Sequence, residues 1–166
     1  MQATIAKAAE FRGVGLHTGA PVRMDICPAP PAHGIIFERT DLEPGSNRIP
    51  ALWSNVTPSK LCTLIDNGKG ATVSTIEHVM AALAGTGIQN AVIRIDGPEV
   101  PILDGSSAPF VAGILDMGIR SQNVPLQAIR VKRTVEYREG DAYARLSPAD
   151  HLEIDFHIDF TDAAIG

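Results

Sequence analysis

The chain has 166 residues, 45% of them hydrophobic and 20% charged, and a net charge of −5. This composition suits a soluble, core-forming protein rather than a disordered one, and the length admits one domain or one small domain with part of another. Lys and Arg are scattered, with no basic run longer than Arg130-Val-Lys132-Arg133, so nucleic-acid binding has no electrostatic support. The longest apolar run, Val79 to Ala84, is too short for a membrane span, and the first residues lack the apolar stretch of a signal peptide. Cys27 and Cys62 stand far apart and outside any Cys-x-x-Cys, which argues against a disulfide framework or a cysteine zinc knuckle and for a reduced, cytoplasmic setting.

Alternating apolar residues predict strands over residues 4–11, 22–27 and 34–39. The first two are joined by Gly13-Val-Gly-Leu-His-Thr-Gly19, whose glycines suggest a phosphate loop. That reading fails because the segment leads into a strand, whereas both glycine fingerprints need a helix N-terminus there. A tight turn is expected instead. Residues 40–73, rich in Pro, Gly, Asn and Ser, read as a small β insertion of about 45–72, with Asp66-Asn67-Gly68 as its hairpin turn.

A helix carrying Glu77 and His78 follows and ends at Gly85, with Ile76, Met80 and Leu83 as its core-facing stripe. A strand over 91–95 comes next, then a loop over 96–105. A second helix is predicted to be capped by Ser106 or Ser107, to hold Pro109 in its first turn and to end at Gly118. Beyond a linker at 122–127 the opening pattern recurs: strands over 129–137 and 142–146 about a Glu139-Gly-Asp141 turn, then a strongly alternating strand over 152–160. The fold expected is α+β: a two-layer sheet-and-helices domain over 1–121 with a small β insertion, followed by the first strands of a second, similar domain over 128–166. Leu152, Ile154, Phe156 and Ile158 would form an apolar side that this chain leaves incompletely covered, a surface expected to recruit a partner, self-association included.

Chemistry concentrates at Glu77–His78. Zinc hydrolases pair a metal-bound imidazole with a free carboxylate that takes a proton from water. The spacing Ser74-x-x-Glu77 is also that of a capping box, and spacing alone favours that role. One ligand does not make a catalytic zinc site, and His17, His33, His151 and His157 show no helical ligand spacing. Cys62 reads as a soft ligand or a small core residue.

The segments Gly13-Val-Gly-Leu-His-Thr-Gly19, Leu61-Cys-Thr63, Ser74-Thr-Ile-Glu-His78, Ala81-Ala-Leu-Ala-Gly85, Pro101-Ile-Leu-Asp-Gly-Ser106 and Ala108-Pro-Phe110 occur in this order and at these spacings. Together they resemble the N-terminal half of the UDP-3-O-acyl-N-acetylglucosamine deacetylase family, and the resemblance extends to Ile154-Asp-Phe-His-Ile-Asp-Phe160. It implies two similar α+β domains with the active site between them, and zinc-dependent hydrolysis of the acetamide of a UDP-linked acylated glucosamine, the committed step of lipid A synthesis. It implies that Glu77 is the general base and His78 a Zn²⁺ ligand. It also implies that Leu61 and Cys62 line the site, that His17 lies near the sugar, and that Asp159 and Phe160 approach the uracil. The family's remaining ligands, a His-x-x-x-Asp pair, its general-acid histidine and its acyl-binding insertion find no match in this chain. The expectation is therefore a truncated, inactive chain; the alternative is a non-catalytic scaffold or interaction domain of the same fold.

Overall fold

The computed structural model describes residues 1–161 and 164; the end of the expected second domain, residues 162, 163, 165 and 166, lies outside the described residues. The chain forms two compact units, residues 1–126 and 127–166.

The first unit is built on a five-stranded sheet of order β2-β3-β9-β4-β5, formed by β2 (Ala9–Val14), β3 (Pro21–Pro28), β9 (Ala91–Ile95), β4 (Ile35–Arg39) and β5 (Arg48–Pro50). Neighbours run antiparallel except β4 and β9, which are parallel. Period-two alternation sends Phe11, Met24, Ile26, Phe37, Ile93 and Ile95 to one buried face. The other face carries crossed ion pairs, Glu10 with Arg23 and Glu38 with Arg48 and Arg94. Helices α1 (Glu77–Gly85) and α2 (Ala108–Met117) supply Val79, Ala82, Leu83, Phe110 and Ile114 to the same core. Phe11 and Phe110 meet with ring centroids 5.1 Å apart at 54°. Gly113 is what allows that contact, since a Cβ there would lie 2.7 Å from the Phe11 ring.

The strand expected over 4–11 is two strands. β1 (Ala3–Ile5) leaves for a separate pairing with β10 (Ile119–Ser121), while β2 stays in the main sheet. Apolar alternation continues across the break because both halves bury residues, and alternation records burial, not the hydrogen-bonding partner. The insertion forms its own three-stranded sheet, β6 (Val56–Thr57), β7 (Leu64–Asp66) and β8 (Thr72–Val73), with the Asn67 side chain organising the β7–β8 turn. β5, by contrast, pairs with β4 in the main sheet. At the start of helix α2, Ser107 holds the N-cap position without a side-chain capping bond, the Ser106 hydroxyl accepts the Ala108 N–H at 3.1 Å, and Gly118, at φ +80°, ends the helix. On α1 the stripe is Ile76, Val79 and Leu83 with Ala82, and Met80 is only partly buried.

In the second unit, β11 (Val135–Glu139) and β12 (Ala142–Leu146) form a hairpin about the predicted Gly140 turn. The strand expected over 129–137 is shorter, and residues 152–160 form no strand. Their alternation is real and their apolar side chains are exposed, Leu152 and Ile154 by 87% and 80%. Among the described residues none pairs with them, and without a ladder partner an alternating segment has nothing to fix it as a strand.

Candidate active site

The site of the first unit is assembled from three loops held by two carboxylates. The β2–β3 connection closes on itself, with the Gly15 N–H on the Ala20 carbonyl and the Gly19 N–H on Gly15, each at 3.0 Å. His17 is exposed at this bend, but its backbone N–H points inward and donates to Glu99 Oε1 at 2.9 Å. The Thr18 N–H and hydroxyl both donate to Glu99 Oε2, at 2.9 and 2.7 Å. Gly15 is required for this approach: a Cβ there would sit 2.2 Å from Glu99 Oε2 and 2.3 Å from Thr18 Oγ1.

Glu99 itself is 1% exposed. Burial alone would push its carboxyl up. The His17 and Thr18 N–H groups and the Thr18 and Thr75 hydroxyls outweigh that and hold it down at about 2. The fourth of these donors, the Thr75 hydroxyl at 3.0 Å, connects the glycine-rich loop to the start of α1. Thr75 is a β-branched residue at φ +58°, a conformation that persists only where the surroundings impose it. Those surroundings are visible. Ser74 bridges Glu99 in parallel, its N–H bonding the Pro98 carbonyl and its carbonyl accepting the Val100 N–H.

This pairing overturns the capping box. Ser74 is engaged with the 98–100 segment, its hydroxyl donating to the Pro98 carbonyl, and α1 begins without a side-chain cap. Glu77 is therefore released from capping. Its Oε2 instead accepts the Thr63 N–H at 3.1 Å, and the Thr63 carbonyl accepts the Ile76 N–H at 3.5 Å. Thr63 is thus held against the start of α1. Leu61 is 92% exposed at φ +59°, and Cys62 lies with its Sγ 3.0 Å from Ser59 Oγ. His78 follows Glu77 on that turn, partly exposed and outside the core, and its imidazole makes no hydrogen bond to the described residues.

Of the residues singled out from sequence, His17, Leu61, Cys62, Glu77 and His78 belong to these linked loops. Asp159 and Phe160 belong to the second unit, where both are exposed in irregular backbone. Among the described residues no three His, Cys, Asp or Glu side chains stand together as a metal site. Glu99 and Thr75 were not anticipated. The available signal was a single carboxylate in the otherwise apolar Pro98-Glu-Val-Pro-Ile-Leu103, a setting in which an acidic group must find donors.

Residues 2–166 match the family model of UDP-3-O-acyl N-acetylglycosamine deacetylase (LpxC). Curated relatives named UDP-3-O-acyl-N-acetylglucosamine deacetylase align over nearly the whole chain. The protein of Myxococcus xanthus is 48% identical over 99% of this chain and 52% of its own length. Those of Histophilus somni and Pseudoalteromonas atlantica are 44% and 43% identical, each over 99% of this chain and 54% of their own. The chain spans about half the length of the curated relatives it matches. With the family model covering residues 2–166, the chain belongs to the UDP-3-O-acyl N-acetylglycosamine deacetylase family.

Proposed function

We propose that this chain supplies the general base and one metal ligand for hydrolysis of the acetamide of UDP-3-O-(3-hydroxyacyl)-N-acetylglucosamine, releasing acetate in the committed, cytoplasmic step of lipid A synthesis. The observation that supports this best is the engagement of Glu77. Its carboxylate is not used to cap α1 but is held through one oxygen by the Thr63 N–H, which leaves Oε1 to accept a proton. A general base positioned in this way contributes about 10²–10⁴-fold to rate.

The donor set fits zinc in part. His78 offers a ring nitrogen from the same helical turn as the base, free of other partners among the described residues. A catalytic zinc takes three protein ligands, and among the described residues no three His, Cys, Asp or Glu side chains stand together to supply them. The family resemblance assigns the others to a His-x-x-x-Asp pair in the half of the relatives that lies outside the aligned stretch. Bound there, zinc would polarise the acetamide carbonyl and acidify the attacking water. Glu77 takes that water's proton and holds it near the scissile bond, while the Thr63 N–H fixes which oxygen does so. By the same family resemblance, Leu61 and Cys62 line the site, His17 lies near the sugar, and Asp159 and Phe160 approach the uracil. No helix among the described residues is long and apolar enough to cross a membrane.

Acetate release from the UDP-linked substrate by the zinc-loaded deacetylase carrying this chain tests the reading. Glu77→Ala should lower kcat by about 10²–10⁴-fold. Undiminished turnover would remove Glu77 as base. No turnover by the unaltered zinc-loaded protein would favour the scaffold alternative.

A further inference from the structure

We propose that Glu99 is a positioning residue for the reaction: through Thr75 and the glycine-rich loop it holds His17 and the Glu77–His78 turn in one fixed relation. The inference rests on the deacetylase reading, and Glu99 itself has no part in the chemistry of that reading.

The geometry is that of a two-sided tie. Glu99 Oε1 is shared between the His17 N–H on the loop side and the Thr75 hydroxyl on the helix side, at 2.9 and 3.0 Å. Oε2 takes two further donors from Thr18. A surface loop and a helix N-terminus far apart in sequence are therefore joined through one buried carboxylate. Each side shows that the tie shapes it. On the loop side, a Cβ at position 15 would displace Glu99 Oε2 and Thr18 Oγ1, the atoms of the tie itself. On the helix side the residue bound, Thr75, is held at φ +58° directly before Ile76-Glu77-His78. The backbone of Glu99 is fixed in turn by its bridge to Ser74. The loop is also held against the following segment: the Val14 carbonyl accepts the Ile102 N–H at 3.0 Å, and a Cβ on Gly13 would meet Pro101 at 3.1 Å. A carboxylate satisfied by four donors from two elements resists movement of either element, because any shift strands a buried charge. The turn that presents Glu77 then has little freedom, and displacement of about 1 Å at a reacting group can cost on the order of 10²-fold in rate.

The two sides predict different kinetic signatures. Thr75→Val removes the helix-side donor and keeps the carboxylate and the loop. It should lower kcat about 10-fold or more with KM near that of the unaltered enzyme. Thr18→Val loosens the loop that carries His17 and should act mainly on KM. Glu99→Gln should do both, and Thr75→Ser, which keeps the hydroxyl, should restore kcat. Amide hydrogen exchange in this chain gives a readout independent of turnover. In Glu99→Gln the His17 and Thr18 amides should lose protection by about 10-fold or more, and so should the Thr63 amide bonded to Glu77, while Ile93 in the central strand keeps its own.

Kinetics of the zinc-loaded deacetylase and exchange on this chain, measured on the same four variants, decide between a positioning and a purely structural role. If Glu99→Gln and Thr75→Val lower stability but leave kcat, KM and Thr63 protection unchanged, Glu99 is a structural residue only and the proposal is wrong. If Glu99→Gln fails to fold, Thr75→Val is compared with Thr75→Ser instead: a lower kcat in the valine variant supports the proposal, and equal kcat in the two overturns it. If the unaltered enzyme shows no deacetylation, the functional reading fails, and Thr63 protection in Glu99→Gln still reports whether the tie reaches Glu77.

Discussion

The two units of this chain carry similar hydrophobic alternation and meet different fates. In the first, β3 and β9 bury Met24, Ile26, Ile93 and Ile95 completely beneath two helices. In the second, Val135, Tyr137, Leu146 and the alternating residues of 152–160 are exposed, and only one hairpin forms among the described residues. Alternation states which side of a strand wants to be covered; it does not provide the cover. The first unit contains its own two helices, and among the described residues the second has a hairpin alone. The difference should appear as a gradient of energetic consequences.

Truncating equivalent side chains gives the largest contrast. Phe110→Ala removes a fully buried ring packed on Phe11 and should destabilise the first unit by about 3–5 kcal/mol in urea unfolding. Phe156→Ala, in the exposed segment, should leave that transition unmoved and should reduce binding of an apolar dye such as ANS. A smaller effect is expected at the glycine-rich loop. Gly15→Ala drives a methyl into the Glu99 carboxylate and should cost about 1–3 kcal/mol in the same measurement.

Acid should separate the units further. Glu99 has a carboxyl held at about 2 against an ordinary value of 4.5. A folded-state value below the unfolded one means that the charged form favours the fold. That contribution is complete above pH 4.5 and is lost as pH falls from 4.5 through about 2. Its upper limit is about 3 kcal/mol. Stability of the first unit should fall across this window, and Glu99→Gln, already weakened, should show a flatter profile; identical slopes would contradict the role given to the carboxylate. The smallest effect is on exchange alone. Amides of residues 152–160 should exchange at nearly unprotected rates while Ile93 stays protected, and slow exchange at 152–160 would reveal a pairing that the structure lacks.

Much of the first unit is legible in its sequence because its signals are local: alternation in β3, β4 and β9, the Asp66-Asn67-Gly68 turn, Pro109 and Gly118 bounding α2. What escapes is what depends on partners distant in the chain. The split of residues 4–11 turns on whether Ala3–Ile5 pairs with β3 or β10. The Ser74-x-x-Glu77 spacing misleads because Ser74 is captured by Glu99, a bridge that local spacing does not show. The same bridge frees Glu77 for Thr63. The candidate site was therefore recognisable as a set of motifs, and its mechanical connection through Glu99 and Thr75 was not.

Zinc content measured beside turnover in paired variants of the zinc-loaded deacetylase tests the central claim most directly. On the proposed reading, in which the carboxylate acts on water and not on the metal, Glu77→Ala should retain about one equivalent of zinc and lose nearly all acetate release. His78→Ala should lose zinc itself, and turnover with it. If Glu77→Ala loses its metal, or His78→Ala keeps a full equivalent with normal turnover, the division of labour assigned to these two neighbouring residues is wrong.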